Sequence, residues 1–454
     1  MEQNTILESP ISFMLERFSA SATSTAVIWQ EQDYTYQWLL TEIEKARDFF
    51  KVQSIDYGSI VALRSDFNPT SIAFVLASLE RGIILVPVSY TVKTFEEFCD
   101  IAEVEHIIEV TSDSITHEKR SQSVQHEIML GLKAKRHPGL VLFSSGTTGK
   151  PKAAVHDFIP LLEKFKVKRH TLRTITFLLF DHIGGVNTLL YILSNTGTIV
   201  AIEDRSPENV CRLIEKYNVE LLPTSPSFIS LLLVSRAYER YNITSLKMMT
   251  YGTEAMPEST LQRVHELFPS IEMKQTYGLS ELGIMRSQSR GNNSLWVRIG
   301  GEDYQTKIVD DVLFIKAKSA MLGYLNAPSP FDAEGWFNTQ DRVEVDGEWM
   351  KILGRTSDII NVGGQKVYPI EVESVLLQMD GITDVAVYGK DNPLLGKVVA
   401  VDVVLENEES LPMFKNRMRS FCNQKLERYK IPVEVSITSE SHISSRYKKM
   451  RPRA

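Results

Sequence analysis

Residues 142–152 read LFSSGTTGKPK, a run of hydroxyls, glycines and lysines placed directly after the apolar LVLF of residues 140–143. The pattern predicts a strand that breaks into an anion-binding loop. Gly146 and Gly149 allow backbone angles closed to other residues, so that successive N–H groups converge on one point. Ser144, Ser145, Thr147 and Thr148 add hydroxyl donors, and Lys150 and Lys152 add charge. A phosphate chain suits such a loop, since its oxygens accept many hydrogen bonds. It is not the P-loop: that motif has four residues between its glycines and a hydroxyl residue after its lysine. Here only Thr147 and Thr148 lie between Gly146 and Gly149, and Pro151 follows Lys150.

Four further stretches carry residues fit for nucleotide chemistry: YGTEAMP (251–257), QTYGLSELG (275–283), EGWFNTQDR (334–342) and GRTSDIINVGGQKVYPIEVE (354–373). Taken alone, each has an ordinary explanation. Ser280 suits a helix N-cap, and Asp341 or Arg355 suits a turn or a surface ion pair. In this order, together with LFSSGTTGKPKAAVH, the five resemble the adenylate-forming superfamily of acyl- and aryl-CoA synthetases, luciferases and the adenylation domains of nonribosomal peptide synthetases. The resemblance spans roughly residues 35–451. It implies that a carboxylate is activated with ATP to an acyl-adenylate, with release of pyrophosphate, and that the acyl group then passes to a thiol.

That reaction brings two anions together, so it calls for phosphate donors, a magnesium ligand and a mobile cation. By the resemblance, Ser145, Gly146, Thr147, Thr148, Gly149 and Lys152 hold the β- and γ-phosphates. Glu281 is the Mg²⁺ ligand, Ser280 (commonly Thr in the family) contacts the α-phosphate, and Tyr277 with Gly278 lies beside the adenine. Gly252, Thr253 and Glu254 run along the adenine, while Asp341 accepts both ribose hydroxyls and Arg355 is a second ribose contact. Gly363 and Gly364 match the loop lining the pantetheine tunnel of coenzyme A or of a phosphopantetheine-bearing carrier protein. The chain ends ESHISSRYKKMRP, where the family writes Pro-x-Thr-x-x-Gly-Lys-x-x-Arg. Counting back three residues from Arg451 makes Lys448 the catalytic lysine, with Tyr447 in place of the glycine and His442 in place of the proline. Ser357, followed by Asp358, stands at the position where family members carry the pivot Asp or Lys.

The segment LLFDHIGGVNTLL (178–190) concerns the substrate and reads in two ways. Acyl- and aryl-CoA synthetases carry an aromatic-His-x-x-Gly pattern, matched by His182 and Gly185 with Gly184 beside them. Amino-acid-activating domains carry Phe-Asp, the aspartate gripping the substrate ammonium, matched by Phe180 and Asp181. The distance to the following TGT favours the histidine alignment by one residue. A small carboxylic acid without an α-amine is therefore expected, with a free-standing amino-acid adenylating enzyme as the alternative and a degenerate, non-catalytic nucleotide-binding protein as a third reading.

Elements must hold these residues in place. Between residues 36 and 90 the spacing alternates helix, strand, helix, strand, and the rhythm returns at 207–233 and 246–269, which predicts α/β layers around mostly parallel sheets. From 295 to 350 short alternating segments predict antiparallel hairpins. The expected architecture is a large multi-subdomain α/β adenylate-forming domain (1–353) with a small β region, a hinge at about 354–358, and a smaller mobile α+β domain (358–454). A chain of 454 residues has room for several cores. Its net charge of −7 argues against a nucleic-acid partner. Cys99, Cys211 and Cys422 form neither a zinc spacing nor a disulfide framework. The longest apolar region, IAFVLASLERGIILVPV, is interrupted by Glu80, Arg81 and Gly82, so no transmembrane segment is expected. The opening residues lack a basic-then-apolar leader, and a cytoplasmic enzyme is expected.

Overall fold

The computed structural model describes residues 9–145, 151–444 and 446–452, the side chain of Ser145 excepted. The helix predicted after residue 36 spans Tyr36–Val52. Thr35 accepts the Trp38 N–H at its start, and Leu39, Ile43, Ala46 and Phe50 form its buried stripe. The next helix, Pro69–Arg81, begins with a capping box between Asn68 and Ser71 and ends at Gly82, whose φ of 71° is open to glycine at little cost. Its residues from Ile72 to Leu79 are all buried, because the helix is enclosed by the protein.

Two seven-stranded sheets form the large part of the molecule. In the first, strands His106–Val110, Ile60–Arg64, Ile84–Val88 and Gly139–Ser145 run parallel. Antiparallel Ile115–Lys119 closes one edge, and Pro151–Asp157 with Gly323–Tyr324 closes the other. In the second, six parallel strands from Glu272–Gln275 to Thr25–Trp29 end at antiparallel Gln32–Thr35. Side chains alternate between faces along each strand. Val61 and Leu63 accordingly join a central core that reaches Val27, Ile199 and Ala201 of the second sheet through the helices between them, whereas Ile60 and Ala62 face an outer core with Phe98 and Met129.

The predicted hairpins belong to a six-stranded antiparallel sheet that includes Tyr304–Val309, Val312–Ala317, Phe337–Asp346 and Trp349–Arg355. Beyond it, the chain builds a smaller α+β unit with its own core. Long strands Ile382–Asn392 and Gly396–Leu405 pack on helices Pro369–Leu376 and Leu411–Cys422 through Val385, Val387, Val399, Val401, Phe414 and Met418. All three cysteines are buried and free. Among the described residues, no helix is long and apolar enough to cross a membrane.

Candidate active site

The carboxyl ends of the parallel strands face the small unit across a cleft of about 930 Å³, lined among others by Gly252, Thr253, Glu254, Tyr277, Gly278, Asp341, Arg355 and Lys448. Five separate sequence motifs thus meet in one place. Gly252 follows strand Met248–Tyr251, and a Cβ there would lie 2.6 Å from Thr276 Oγ1 and 2.8 Å from the Thr276 carbonyl oxygen. Thr253 holds a φ of 74°, a left-handed conformation uncommon for a β-branched residue and characteristic of constrained functional loops. Glu254 accepts the Ser227 N–H on Oε1 and the Lys449 N–H on Oε2, both at 2.8 Å, and so bridges the two parts of the molecule.

Asp341 is buried, and its Oδ2 accepts the Tyr277 hydroxyl at 2.5 Å. Arg355, opposite Asp341 in the strand pair, brings Nε to 3.8 Å from Oδ1. Burial pushes the Asp341 carboxyl up, while Tyr277 and Arg355 pull it down.

Ser280 and Glu281 lie at the tip of a small hairpin, Gly278–Leu279 paired with Gly283–Ile284, and not at the helix N-terminus that Ser280 alone would suggest. The tip is held by long-range bonds invisible to local spacing. His156 Nε2 donates to the Ser280 carbonyl at 2.5 Å, and the Met321 N–H donates to the Glu281 carbonyl at 2.7 Å. Burial pulls the His156 imidazole down to about 4, so it is neutral at neutral pH. Tyr324 donates its hydroxyl to Glu281 Oε1 at 2.5 Å, and the Lys152 ammonium lies 5.3 Å from the centre of the same ring. The lysine of the anion loop and the expected magnesium ligand therefore share one tyrosine, which the sequence reading missed. Ser144 pairs with Lys152 and Ser145 with Pro151 across the strands on either side of that loop. Gly146, Thr147, Thr148 and Gly149 lie outside the described residues.

His182 caps helix Ile183–Ser194, its Nδ1 accepting the Gly184 N–H at 3.0 Å. Gly184 and Gly185 pack rather than open a passage: a Cβ on Gly185 would stand 2.0 Å from the Leu179 carbonyl oxygen, and one on Gly184 would stand 2.8 Å from Leu178 Cδ1. Because Nδ1 accepts, the ring proton resides on Nε2, which points at Lys448 Nζ, 3.4 Å away. Burial, then the neighbouring Lys448 and Arg446 charges, hold His182 well below the usual histidine range. Lys448 is lowered as well, chiefly by burial. Two N–H donors thus converge on one spot, an arrangement completed by an oxyanion.

Lys448 arrives there on a loop that is more than the basic tail its composition suggests. Ile443 bridges Lys449, and the Met450 N–H donates to the His442 carbonyl, closing the loop on itself. Lys449 pairs with Asp384, and Arg451 grips the buried Glu373 with two bonds of 2.9 and 2.6 Å, tying the loop to the small unit. Lys449 is therefore held on the small unit's side of the cleft while Lys448 reaches across it to His182. Asp181, a candidate for gripping a substrate ammonium, instead receives Arg446 Nη2 at 2.8 Å. What remains open beside Asp181, His182, Arg446 and Lys448 is about 20 Å³. Gly363 and Gly364 are not brought to the cleft. They form the turn between Ile360–Val362 and Gln365–Val367 with φ of 55° and 87°, and the Gly363 N–H donates to the Leu395 carbonyl.

Layered α/β sheets, a small C-terminal unit closing over the cleft, and a lysine carried in on its last loop define the adenylate-forming class of enzyme. The chain belongs to the AMP-binding enzyme family: the family model matches residues 16–313, and that of the AMP-binding enzyme C-terminal domain matches 371–445. It is 23% identical to the indoleacetate–CoA ligase of Aromatoleum aromaticum over 92% of this chain and 91% of that one. It is 22% identical to the 2-succinylbenzoate–CoA ligase of Bacillus subtilis over 94% of each. In fold it is similar to the anthranilate CoA ligase AuaEII in complex with anthranoyl-AMP, with a TM-score of 0.81, 18% identity, and coverage of 97% of this chain and 95% of that one. The protein is an adenylate-forming enzyme of the acyl- and aryl-CoA ligase type, an AMP-forming acid–thiol ligase.

Proposed function

We propose that the enzyme activates a carboxylic acid lacking an α-amine, and then transfers the acyl group to coenzyme A. A carboxylate oxygen attacks the α-phosphorus of ATP, and the bond to pyrophosphate breaks. A thiolate then attacks the acyl carbon, and AMP leaves. The observation that carries the substrate class is the pairing of Asp181 with Arg446, which leaves that carboxylate engaged where an amino acid would need it free. Coenzyme A is favoured as acceptor because the relatives aligned over the whole chain are named CoA ligases. A carrier-protein phosphopantetheine is the alternative acceptor.

In this proposal Lys448 and His182 hold the oxygens between carboxylate and α-phosphate. Asp341 and Arg355 hold the ribose, Tyr277 and residues 252–254 border the adenine, and Ser145, Gly146, Thr147, Thr148, Gly149 and Lys152 take the outer phosphates. Glu281 fits a nucleotide-borne magnesium, which takes few protein oxygens and fills its shell from phosphate and water. Among the described residues no group of three His, Cys, Asp or Glu is placed to hold a metal, and only Oε1 of Glu281 is taken by a hydrogen bond, from Tyr324. Bound Mg²⁺ would offset triphosphate charge. For thioester formation the unit beyond the Thr356–Asp358 turn rotates, withdrawing Lys448 and bringing in the Gly363–Gly364 turn. The division into 1–353 and 358–454, with a pivot at 354–358, follows from this.

The test is ATP–pyrophosphate exchange over fatty, aryl and amino acids, followed by thioester assay with coenzyme A. Exchange with acids lacking an α-amine and consumption of coenzyme A are expected. Exchange confined to amino acids would refute the substrate class.

A further inference from the structure

Arg446 and Asp181 are 265 positions apart, and in their ion pair Asp181 is buried, 5% exposed, while the Arg446 side chain keeps 32% of its surface exposed. Asp181 Oδ2 also accepts the Ser89 N–H at 3.2 Å, and its Oδ1 has no partner among the described residues. The neighbouring Arg205 is already paired bidentately with Asp66, at 2.8 and 3.0 Å. Asp181 is thus left to receive the Arg446 side chain of the incoming loop, as Glu254 receives the Lys449 N–H. Between Arg446 and Lys448, Tyr447 takes a left-handed φ of 53°, a conformation that favours the glycine found here in the family. Its ring packs 5.1 Å from Phe177 and 5.6 Å from Phe228, and its carbonyl accepts the Ser225 hydroxyl at 2.6 Å.

We infer that Asp181 and Arg446 are positioning residues for the adenylation half-reaction: the pair, with Tyr447 seated beside it, fixes Lys448 against His182. This assignment rests on the functional reading above. An ammonium drawn from water into a partly enclosed site needs something to hold it there, and among the described residues Lys448 meets no carboxylate at contact distance. The Arg446 guanidinium, two residues away, supplies the hold by reaching a carboxylate that the large domain keeps buried for it. Because Lys449 and Arg451 bind the other side of the loop to the small unit, the Asp181–Arg446 contact exists only while that unit is docked in this orientation. The pair therefore acts on one half-reaction. Asp181 serves as a receptor for the enzyme's own last loop, and not as a substrate contact.

The experiment compares Arg446→Ala, Asp181→Asn and the double variant in three measurements: pyrophosphate exchange, thioester formation from supplied acyl-adenylate, and hydrogen exchange at the Tyr447 and Lys449 amides. Each single variant is expected to slow pyrophosphate exchange by roughly tenfold or more. Thioester formation should change by less than about twofold, and both amides should exchange faster. The double variant should be no slower than the worse single one, as expected of two groups acting as a pair. Wild-type pyrophosphate exchange in Arg446→Ala, multiplicative losses in the double variant, or equal loss of both half-reactions would overturn the inference. The amide measurement needs no substrate, so unchanged protection in both single variants would overturn it independently. Absence of pyrophosphate exchange in the wild-type enzyme would instead overturn the functional reading on which the assignment depends.

Discussion

In the proposed reaction Glu281 and Lys448 would both act through charge, but their surroundings differ. Glu281 keeps one oxygen on Tyr324 and sits at a partly exposed hairpin tip. Its replacement by Gln preserves the hydrogen bond and the volume while removing the charge, so Glu281→Gln is expected to fold normally and slow pyrophosphate exchange by about 10²-fold. Steady-state exchange rates at saturating ATP and magnesium check this, and a rate within about threefold of wild type would remove Glu281 from the metal role. Lys448 is half-buried, with the charges of Glu254, Arg446, Arg355 and Asp181 around it, which the order of residues alone does not reveal. The reading that assigned Lys448 by counting from Arg451 left Tyr447 and Arg446 without purpose. The structure gives Tyr447 an aromatic seat, Arg446 a buried partner, and Arg451 a buried glutamate.

At the scale of elements, the helix and strand pattern was legible because each relies on local signals. The stripe of Tyr36–Val52, the helical spacing of Pro69–Arg81 and the apolar run of Ile60–Arg64 are all carried by neighbours in sequence. The hairpin at Ser280–Glu281 was not legible, since its supports, His156, Met321 and Tyr324, come from distant strands and loops. His156 gives this element a pH signature. Its imidazole is lowered to about 4 in the folded protein by burial, against about 6.5 in the unfolded chain. Between those values the unfolded state takes up the proton and the folded state does not, so stability falls as pH drops through that window, by up to about 1.4 kcal/mol per pH unit. Above about 6.5 the contribution is complete and flat. Thermal unfolding from pH 7.5 to 4.5 is expected to show a shallower acid-side decline in His156→Gln than in wild type. Identical declines would mean that His156 is protonated in the folded state as readily as in the unfolded one.

At the scale of the whole molecule, the two-part organisation was legible from the change of pattern near residue 355 and from the resemblance, but the way the parts meet was not. Chain order places Asp181, Glu254 and Lys448 far apart, and only the closed arrangement puts the last loop across all of them. It also leaves Gly363 and Gly364 away from the cleft, in the turn between Ile360–Val362 and Gln365–Val367, where the proposed alternation would have to move them. The loop meets the large domain through the Arg446–Asp181 pair, the Lys449 N–H on Glu254 and the Tyr447 ring against Phe177 and Phe228, and in the proposed cycle these contacts would be released when the small unit turns. The most direct measurement is the separate rate of each half-reaction in Lys448→Ala. Acyl-adenylate formation is expected to drop by about 10²-fold or more, with thioester formation from supplied acyl-adenylate close to wild type. Equal loss of both half-reactions, or full adenylation activity without the Lys448 ammonium, would contradict the account.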